Sequence, residues 1–327
     1  MSVSDIDGLA NSLSKGDRRA LARAITLVES TKSHDREKAD TLLETIMPGT
    51  GGAMRIGLSG SPGVGKSTFI EALGNHIVEQ DRTVAVLAVD PSSRISGGSI
   101  LGDKTRMETL SRHPRAFIRP SPAGTSLGGV ARRTREALLL CEAAGFDTII
   151  VETVGVGQSE TAVSAMTDMF LLLLAPAGGD ELQGIKRGIV ELADMILVNK
   201  ADGEMESEAI HAANEYRTAL RLLRAAAANW TVPVSTCSAV NGTGIPDVWK
   251  NIERFFQTLG DSNAIAMRRA GQAIDWMWTE VDAMLGAALR SDPEIVSSIP
   301  QLEQKVRSGA MPATVAARTL VSGFMKR

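Results

Sequence analysis

An α/β fold built on a doubly wound, mostly parallel sheet is predicted by three observations. Short apolar runs alternate with longer amphipathic segments from about residue 53 to residue 260. Most of those runs are apolar throughout, as strands covered on both faces are. A glycine-rich turn, Gly60-Ser61-Pro62-Gly63-Val64-Gly65-Lys66-Ser67, joins the first run to a helical pattern.

Residues 1–52 read as an N-terminal helical segment, in which Leu21, Ile25 and Val28 share one face at helical spacing. The segment ends in MPGTGG at 47–52, a breaker cluster that reads as a linker. Residues 53–260 form the α/β domain. Its predicted strands are MRIGLSG (54–60), TVAVLAVD (83–90), AFIRP (116–120), TIIVET (148–153), MFLLLLA (169–175), MILVNK (195–200) and VPVSTCS (232–238). Helices are predicted between them at 66–80, 127–144, 204–228 and 244–259. Residues 261–327 carry no strand signal. They read as a helical arm broken at Asp292-Pro293 and Met311-Pro312, with too little apolar mass for a large core of its own. Trp276 and Trp278 lie two apart and cannot share a helix face. Such an arm packs on the α/β domain or pairs with a second copy.

Composition removes several classes. The chain has 327 residues, 43% of them hydrophobic, and a net charge of −3. That balance gives no bulk attraction to nucleic acid or to an anionic membrane. Cys141 and Cys237 stand far apart, with neither a disulfide framework nor metal-ligand spacing, so a reducing cytoplasm is the expected compartment. The opening MSVSDIDGLANSL has no basic flank before an apolar run and does not read as a secretory signal. MFLLLLAPA at 169–177 is of strand length, short of the roughly 20 residues that span a bilayer.

Gly60 to Ser67 matches the phosphate loop GxxxxGK[ST], with a strand before it and an amphipathic helix after it. The glycines let backbone N–H groups turn toward phosphate oxygens, and the helix N-terminus adds partial positive charge. Lys66 is placed to reach the β- and γ-phosphates. Ser67 offers a hydroxyl to Mg²⁺, and Thr68 one to the α-phosphate. Glu152-Thr153-Val154-Gly155 closes the strand TIIVET. An acid there orients Mg²⁺ or its water, and the Gly155 N–H can touch the γ-phosphate. Asp is usual at that place, and the longer Glu152 favours contact through water. Gln158, in the switch-like GVGQSE, is a weaker candidate for orienting water.

Asn199-Lys200-Ala201-Asp202 matches NKxD at the end of another strand. The Asp202 carboxylate can accept from N1–H and the 2-amino group of guanine, whereas adenine offers it a lone pair. The Lys200 stem can cover the purine ring. In Cys237-Ser238-Ala239, a backbone N–H can meet guanine O6. The expected ligands are therefore GTP and GDP with Mg²⁺.

The stretch DPSSRISGGSILGDKTRM at 90–107 follows the second strand. Asp90 emerges at the carboxyl ends of the strands, where phosphates lie. Asp90 and Asp103 can hold Mg²⁺-bound water or align the attacking water. A plain turn at Asp90-Pro91 and a helix cap at Asp103 are the structural alternatives.

GSPGVGKST, VDPSS, GGSILGDKTRM, RPSP, TSLGGVARRTREA, ETVGVGQSE and NKAD together resemble the methylmalonyl-CoA mutase-associated GTPases of the MeaB type, over nearly the whole chain. The resemblance implies a metal-dependent, usually homodimeric GTPase of the SIMIBI class. It implies a chaperone that couples GTP hydrolysis to cofactor loading and protection of adenosylcobalamin-dependent methylmalonyl-CoA mutase. The cobalamin would be carried by the partner, since this chain has no DxHxxG-type motif. Lys66, Asp90, Asp103 and Glu152 would carry the nucleotide and metal chemistry. Residues 175–194, with Gly178, Gly179, Asp180 and Lys186, would be a further switch or an ordinary βα connection.

Arg132, Arg133 and Arg135 read as a solvated helix face in preference to a partner contact. His34, His76, His113 and His211 read as scattered surface residues, and Cys141 as core packing. Three rival functions remain: a metallochaperone GTPase, a kinase of a transport system, and a scaffold that holds nucleotide without turnover.

Overall fold

The computed structural model describes residues 3–89, 107–120, 127–153, 159–176, 187–220 and 230–326. The chain divides into two compact units, Met1–Ala266 and Met267–Arg327. The first is built on seven strands: β1 (Met54–Gly60), β2 (Val84–Val89), β3 (Ala116–Arg119), β4 (Thr148–Thr153), β5 (Met169–Leu174), β6 (Met195–Val198) and β7 (Val234–Thr236). They lie in the order β3-β2-β4-β1-β5-β6-β7, and each described pairing is parallel. All seven predicted strands are present, trimmed where polar ends leave the sheet.

The apolar runs are strands because both faces are covered. All six residues of β2 are buried. Val84 and Val86 enter the core on one face, and Ala85, Leu87 and Val89 the core on the other. The first face carries the helices Lys66–Glu79 and Ile245–Asp261. The second of these lays Ile245, Val248, Trp249, Ile252, Phe255 and Leu259 inward at helical spacing. The opposite face carries Leu127–Ala143, Ser159–Ser164 and Glu206–Leu220.

Three N-terminal helices, Val3–Ser14, Arg18–Glu29 and Ser33–Ile46, join that second core. Leu21, Ile25 and Val28 are buried, as their spacing predicts. Asp17 caps the second helix, its carboxylate accepting from the N–H groups of Arg19 and Ala20. The breaker cluster at 47–52 forms a 3₁₀ turn, Met47–Gly49, and the Gly51 N–H then donates to Glu142 at 3.0 Å. Arg55 grips the same carboxylate with two bonds, at 3.0 and 2.7 Å. Arg36 pairs with buried Glu136 at 2.6 Å, and Arg119 pairs with Glu29.

The basic trio departs from expectation. Arg132, Arg133 and Arg135 are half-buried, and Arg135 Nη2 donates to the Ala165 carbonyl at 3.0 Å. Their helix has the sheet on one side and the N-terminal helices on another, so little of it faces water.

In the second unit, the helix that begins in the first, Ala264–Ser291, continues and is followed by Pro293–Arg307 and Ala313–Met325. The breaks fall at the predicted prolines. Asp292 caps the middle helix, accepting from Glu294 and Ile295 N–H at 3.0 Å each, and Pro293 opens it. Among the described residues, no helix is long and apolar enough to cross a membrane.

The Arg55–Glu142 pair yields a stability prediction. Glu142→Gln leaves a guanidinium short of charge in a nearly closed site, and should cost about 3 kcal/mol in denaturant unfolding. Glu303→Gln, which loses only the exposed pair with Arg307, should leave the midpoint unchanged.

Candidate nucleotide site

Strand β1 is the central strand of the sheet, and the connections change direction around it: β1 leads outward past β4, and β4 leads back past β1 to β5. A crevice opens at the carboxyl ends of strands at such a place. The ends of β1, β4, β6 and β7 bring Gly60, Glu152, Asn199 and Cys237 to that edge.

The loop after β1 can exist only with glycine at two places. A Cβ on Gly60 would stand 2.3 Å from the Leu173 carbonyl oxygen of β5. Gly65 has φ +93°, and its Cβ would stand 2.8 Å from the Asn199 amide nitrogen. Gly65 opens the helix Lys66–Glu79. Pro62 and Gly63 are exposed, Val64 is buried in the core beneath the loop, and Ser61, Lys66 and Ser67 are half-buried; Thr68 is exposed.

Lys66 folds back over the loop, its Nζ donating to the Gly60 carbonyl at 2.7 Å and the Ser61 carbonyl at 3.3 Å. Burial lowers its pKa below the ordinary lysine value, while the negative charges of Glu152 and Glu160 act to raise it. Glu152 is 2% exposed and pairs in register with Leu58 of β1. By strand alternation it shares a face with Ile150, the face on which the helix Lys66–Glu79 lies. The next residue, Thr153, turns to the other face and donates its hydroxyl to Ser59 at 3.0 Å.

Asn199 joins the two ends of the site. It is buried, and its Nδ2 donates to the Val64 carbonyl at 2.9 Å. Its Oδ1 accepts from the Ala239 N–H at 3.0 Å and weakly from the Cys237 thiol at 3.7 Å. Burial pushes that thiol up to about 12, so it stays protonated and acts as a filler. Lys200 follows with φ +60°, an uncommon conformation outside glycine that turns the chain toward Asp202. Asp202 Oδ2 accepts from the hydroxyl of fully buried Ser238 at 2.6 Å, which fixes one carboxylate oxygen.

The structure thus brings together Gly60 to Thr68, Glu152, Asn199, Lys200, Asp202, Cys237, Ser238 and Ala239. Asp90, Asp103 and Gly155 lie outside the described residues, as do Gln158, Gly178, Gly179, Asp180 and Lys186. The amides at 237–239 are already engaged: Cys237 donates to Val198, Ser238 to Thr243 and Ala239 to Asn199. Of these, only the Ala239 N–H goes to a side chain.

Sequence reasoning missed Glu160, which is 2% exposed and acts on the charge of Lys66. The available signal was an acid opening a helix just after a strand end that already carries Glu152. It also missed that Asn199 is the tie between the loops.

Asn199→Ala should expose the cost of that tie. It strands the Val64 carbonyl and the Ala239 N–H in a buried place, and should destabilise the first unit by about 2–4 kcal/mol. Thermal unfolding without nucleotide reads this directly. An unchanged midpoint would mean that the bridge does not hold the loops.

Comparison with known proteins gives the family. The sequence profile of the family described as methylmalonyl-CoA mutase-associated GTPase MeaB matches residues 21–294. A protein of Caulobacter vibrioides that bears a GTPase name is 55% identical over 320 residues, covering 98% of each chain. The mouse mitochondrial methylmalonic aciduria type A homologue is 48% identical over 332 residues, covering 98% of this chain and 80% of its own. A crystal structure of a protein named LAO/AO transport system kinase superposes with a TM-score of 0.79 at 36% identity, covering 100% of this chain and 99% of its own. The chain belongs to the MeaB family of P-loop GTPases.

Proposed function

We propose that this GTPase is a chaperone of an adenosylcobalamin-dependent methylmalonyl-CoA mutase, coupling GTP hydrolysis to cofactor loading and protection of the mutase. The observation that carries the nucleotide half is the Asn199 bridge, which ties the phosphate loop to the loop beside Asp202. The partner half is supported by the family's description and by the name of the mouse relative.

In this reading the loop amides and Lys66 hold the β- and γ-phosphates, and Thr68 reaches the α-phosphate. Asp202 selects guanine, with Lys200 over the ring. Contact of the Ala239 N–H with guanine O6 requires that N–H to be shared with Asn199 Oδ1. Gly155 would meet the γ-phosphate.

The donor set suits Mg²⁺. Ser67 and Glu152 offer hard oxygens beside the loop, joined in this reading by Asp90 and Asp103. Among the described residues, no group of three His, Cys, Asp or Glu forms a metal cage. A Mg²⁺ ion in a nucleotide site is ordinarily bound through a few side chains together with the phosphates of its nucleotide. When bound, the ion draws negative charge off the phosphates. Ser67 and Glu152 would hold it. Cobalamin stays with the mutase in this reading.

The expected outcome in pull-down with the mutase is association that changes between a non-hydrolysable GTP analogue and GDP. No association in either state would remove the chaperone role and leave the GTPase intact. The kinase name of the structurally similar transport-system protein favours a second reading. It predicts labelled γ-phosphate on a protein acceptor, where the chaperone reading predicts release to water.

The C-terminal arm pairs with a second copy in this proposal. The 28-residue helix Ala264–Ser291 buries none of its residues. Met267, Ile274, Trp278 and Leu285 are all exposed and recur on one helical face. Sedimentation should show a dimer, and Ile274→Glu with Trp278→Glu should convert it to a monomer. A wild-type monomer at micromolar concentration would contradict this pairing.

A further inference from the structure

A cleft of about 510 Å³ lies among the three N-terminal helices, lined by none of the residues assigned to the nucleotide site. Leu9 of Val3–Ser14, with Ala22 and Leu27 of Arg18–Glu29, gives it an apolar lining. Arg23, Thr26 and Ser30 follow one another along the second helix and its C-cap, at helical spacing. Lys32 and Asp35 complete the lining from the start of the third helix. Leu9 is buried; Ala22, Leu27, Ser30 and Asp35 are half-buried; Arg23, Thr26 and Lys32 are exposed.

The polar groups of the cleft differ in what they can offer a ligand. The Thr26 hydroxyl donates to the Ala22 carbonyl at 2.9 Å, and the Ser30 hydroxyl donates to Asp35 Oδ2 at 2.7 Å. The other oxygen of Asp35 lies 3.0 Å from His34 Nε2 and 3.8 Å from Lys38 Nζ. The acid is thus engaged on both oxygens. Among the described residues, neither Arg23 nor Lys32 forms a salt bridge, and Lys32 acts on Asp35 only at longer range. The cleft therefore presents two cationic donors beside an apolar lining, in a chain whose net charge is −3. The complement is a carboxylate flanked by apolar side chains. An enclosed metabolite does not suit a site with one buried lining residue, because small-ligand sites bury most of their ligand. A segment of another protein, which keeps one face in water, does suit it. The surface is also held in place: Arg36 pairs with Glu136 at 2.6 Å and Glu29 with Arg119, which fastens these helices to the α/β domain. A preformed surface loses little freedom on binding.

We propose, resting on the chaperone reading, that this cleft docks the partner mutase through a segment in which a carboxylate stands beside apolar side chains. Arg23 and Lys32 pair with the carboxylate, and Leu9, Ala22 and Leu27 receive its apolar neighbours. None of these residues belongs to the nucleotide site, so the contact contributes equally in both nucleotide states.

The test is calorimetric titration of the full-length protein with purified mutase, once with GDP and once with a non-hydrolysable GTP analogue. Arg23→Glu with Lys32→Glu reverses the charge of the cleft and should weaken association at least about tenfold in both states. Thr26→Trp fills the cleft from its exposed wall, leaves every charge in place, and should weaken association by a similar factor. Added salt should weaken the wild-type complex more than the charge-reversed one. Melting temperature, and GTP hydrolysis without the mutase, should stay at wild-type values in both variants, because the altered side chains are exposed and stand outside the nucleotide site.

Either variant at wild-type affinity overturns the proposal and leaves the chaperone reading intact. A loss confined to one nucleotide state overturns it as well, since that places the effect at the nucleotide site. Conversion of a dimer to a monomer with mutase affinity unaltered would give the cleft to a second copy of this chain. If the wild-type protein associates with the mutase in neither state, the chaperone reading fails and the docking role of the cleft fails with it. Should the charge-reversed variant fail to fold, Thr26→Trp alone decides the matter.

Discussion

The tie made by one buried amide, Asn199, holds the site together. Its nitrogen is bound to the phosphate loop and its oxygen to the loop after β7. The two loops are 135 and 40 residues away from it in sequence, as counted from Val64 and Ala239. Each is also fixed from below. Val64 is anchored in the core under the phosphate loop, and Ser238 holds Asp202 from within. A side chain that satisfies buried groups on two loops sets the distance between them. In the proposed function that distance is the length of a nucleotide, from triphosphate to purine.

The parallel sheet makes the tie possible. All its strands point the same way, so every strand end that carries polar chemistry arrives at one edge. The continuous apolar runs are the counterpart of that arrangement: with helices on both faces, the strands need no polar side. Charges that would be costly inside are placed at the edge or paired. Glu142 is gripped by Arg55 and Gly51, and Glu136 by Arg36, which also fastens the N-terminal helices to the domain. Near the loop the charges converge. There burial lowers the pKa of Lys66, while the negative charges of buried Glu152 and Glu160 act to raise it.

Much of this was readable in advance, for physical reasons. Strands such as TIIVET and MFLLLLA are apolar throughout and end in residues that leave the sheet, so their limits are marked. Asp292-Pro293 is a cap followed by the one imino acid that suits a first helical turn. The short helices Glu108–Arg112, Ser159–Ser164 and Arg187–Leu192 are different, because five or six residues hold too little of a 3.6-residue period to stand out. The burial of Arg132, Arg133 and Arg135 was hidden because it depends on N-terminal helices about a hundred residues earlier. Glu160 was hidden for a related reason: packing, not composition, decides whether an acid at a helix start is solvated. The residue types of NKxD pointed to guanine, but nothing in the motif reveals that the asparagine is already satisfied on both sides.

Competition of GTP and ATP for the unmodified protein in Mg²⁺, followed by direct titration, tests the central claim of one pocket reading both ends of a guanine nucleotide. GTP should be held at least about a hundredfold more tightly than ATP, because adenine leaves the Asp202 carboxylate without its two donors. Equal affinity for the two, or tighter binding of ATP, would contradict that claim.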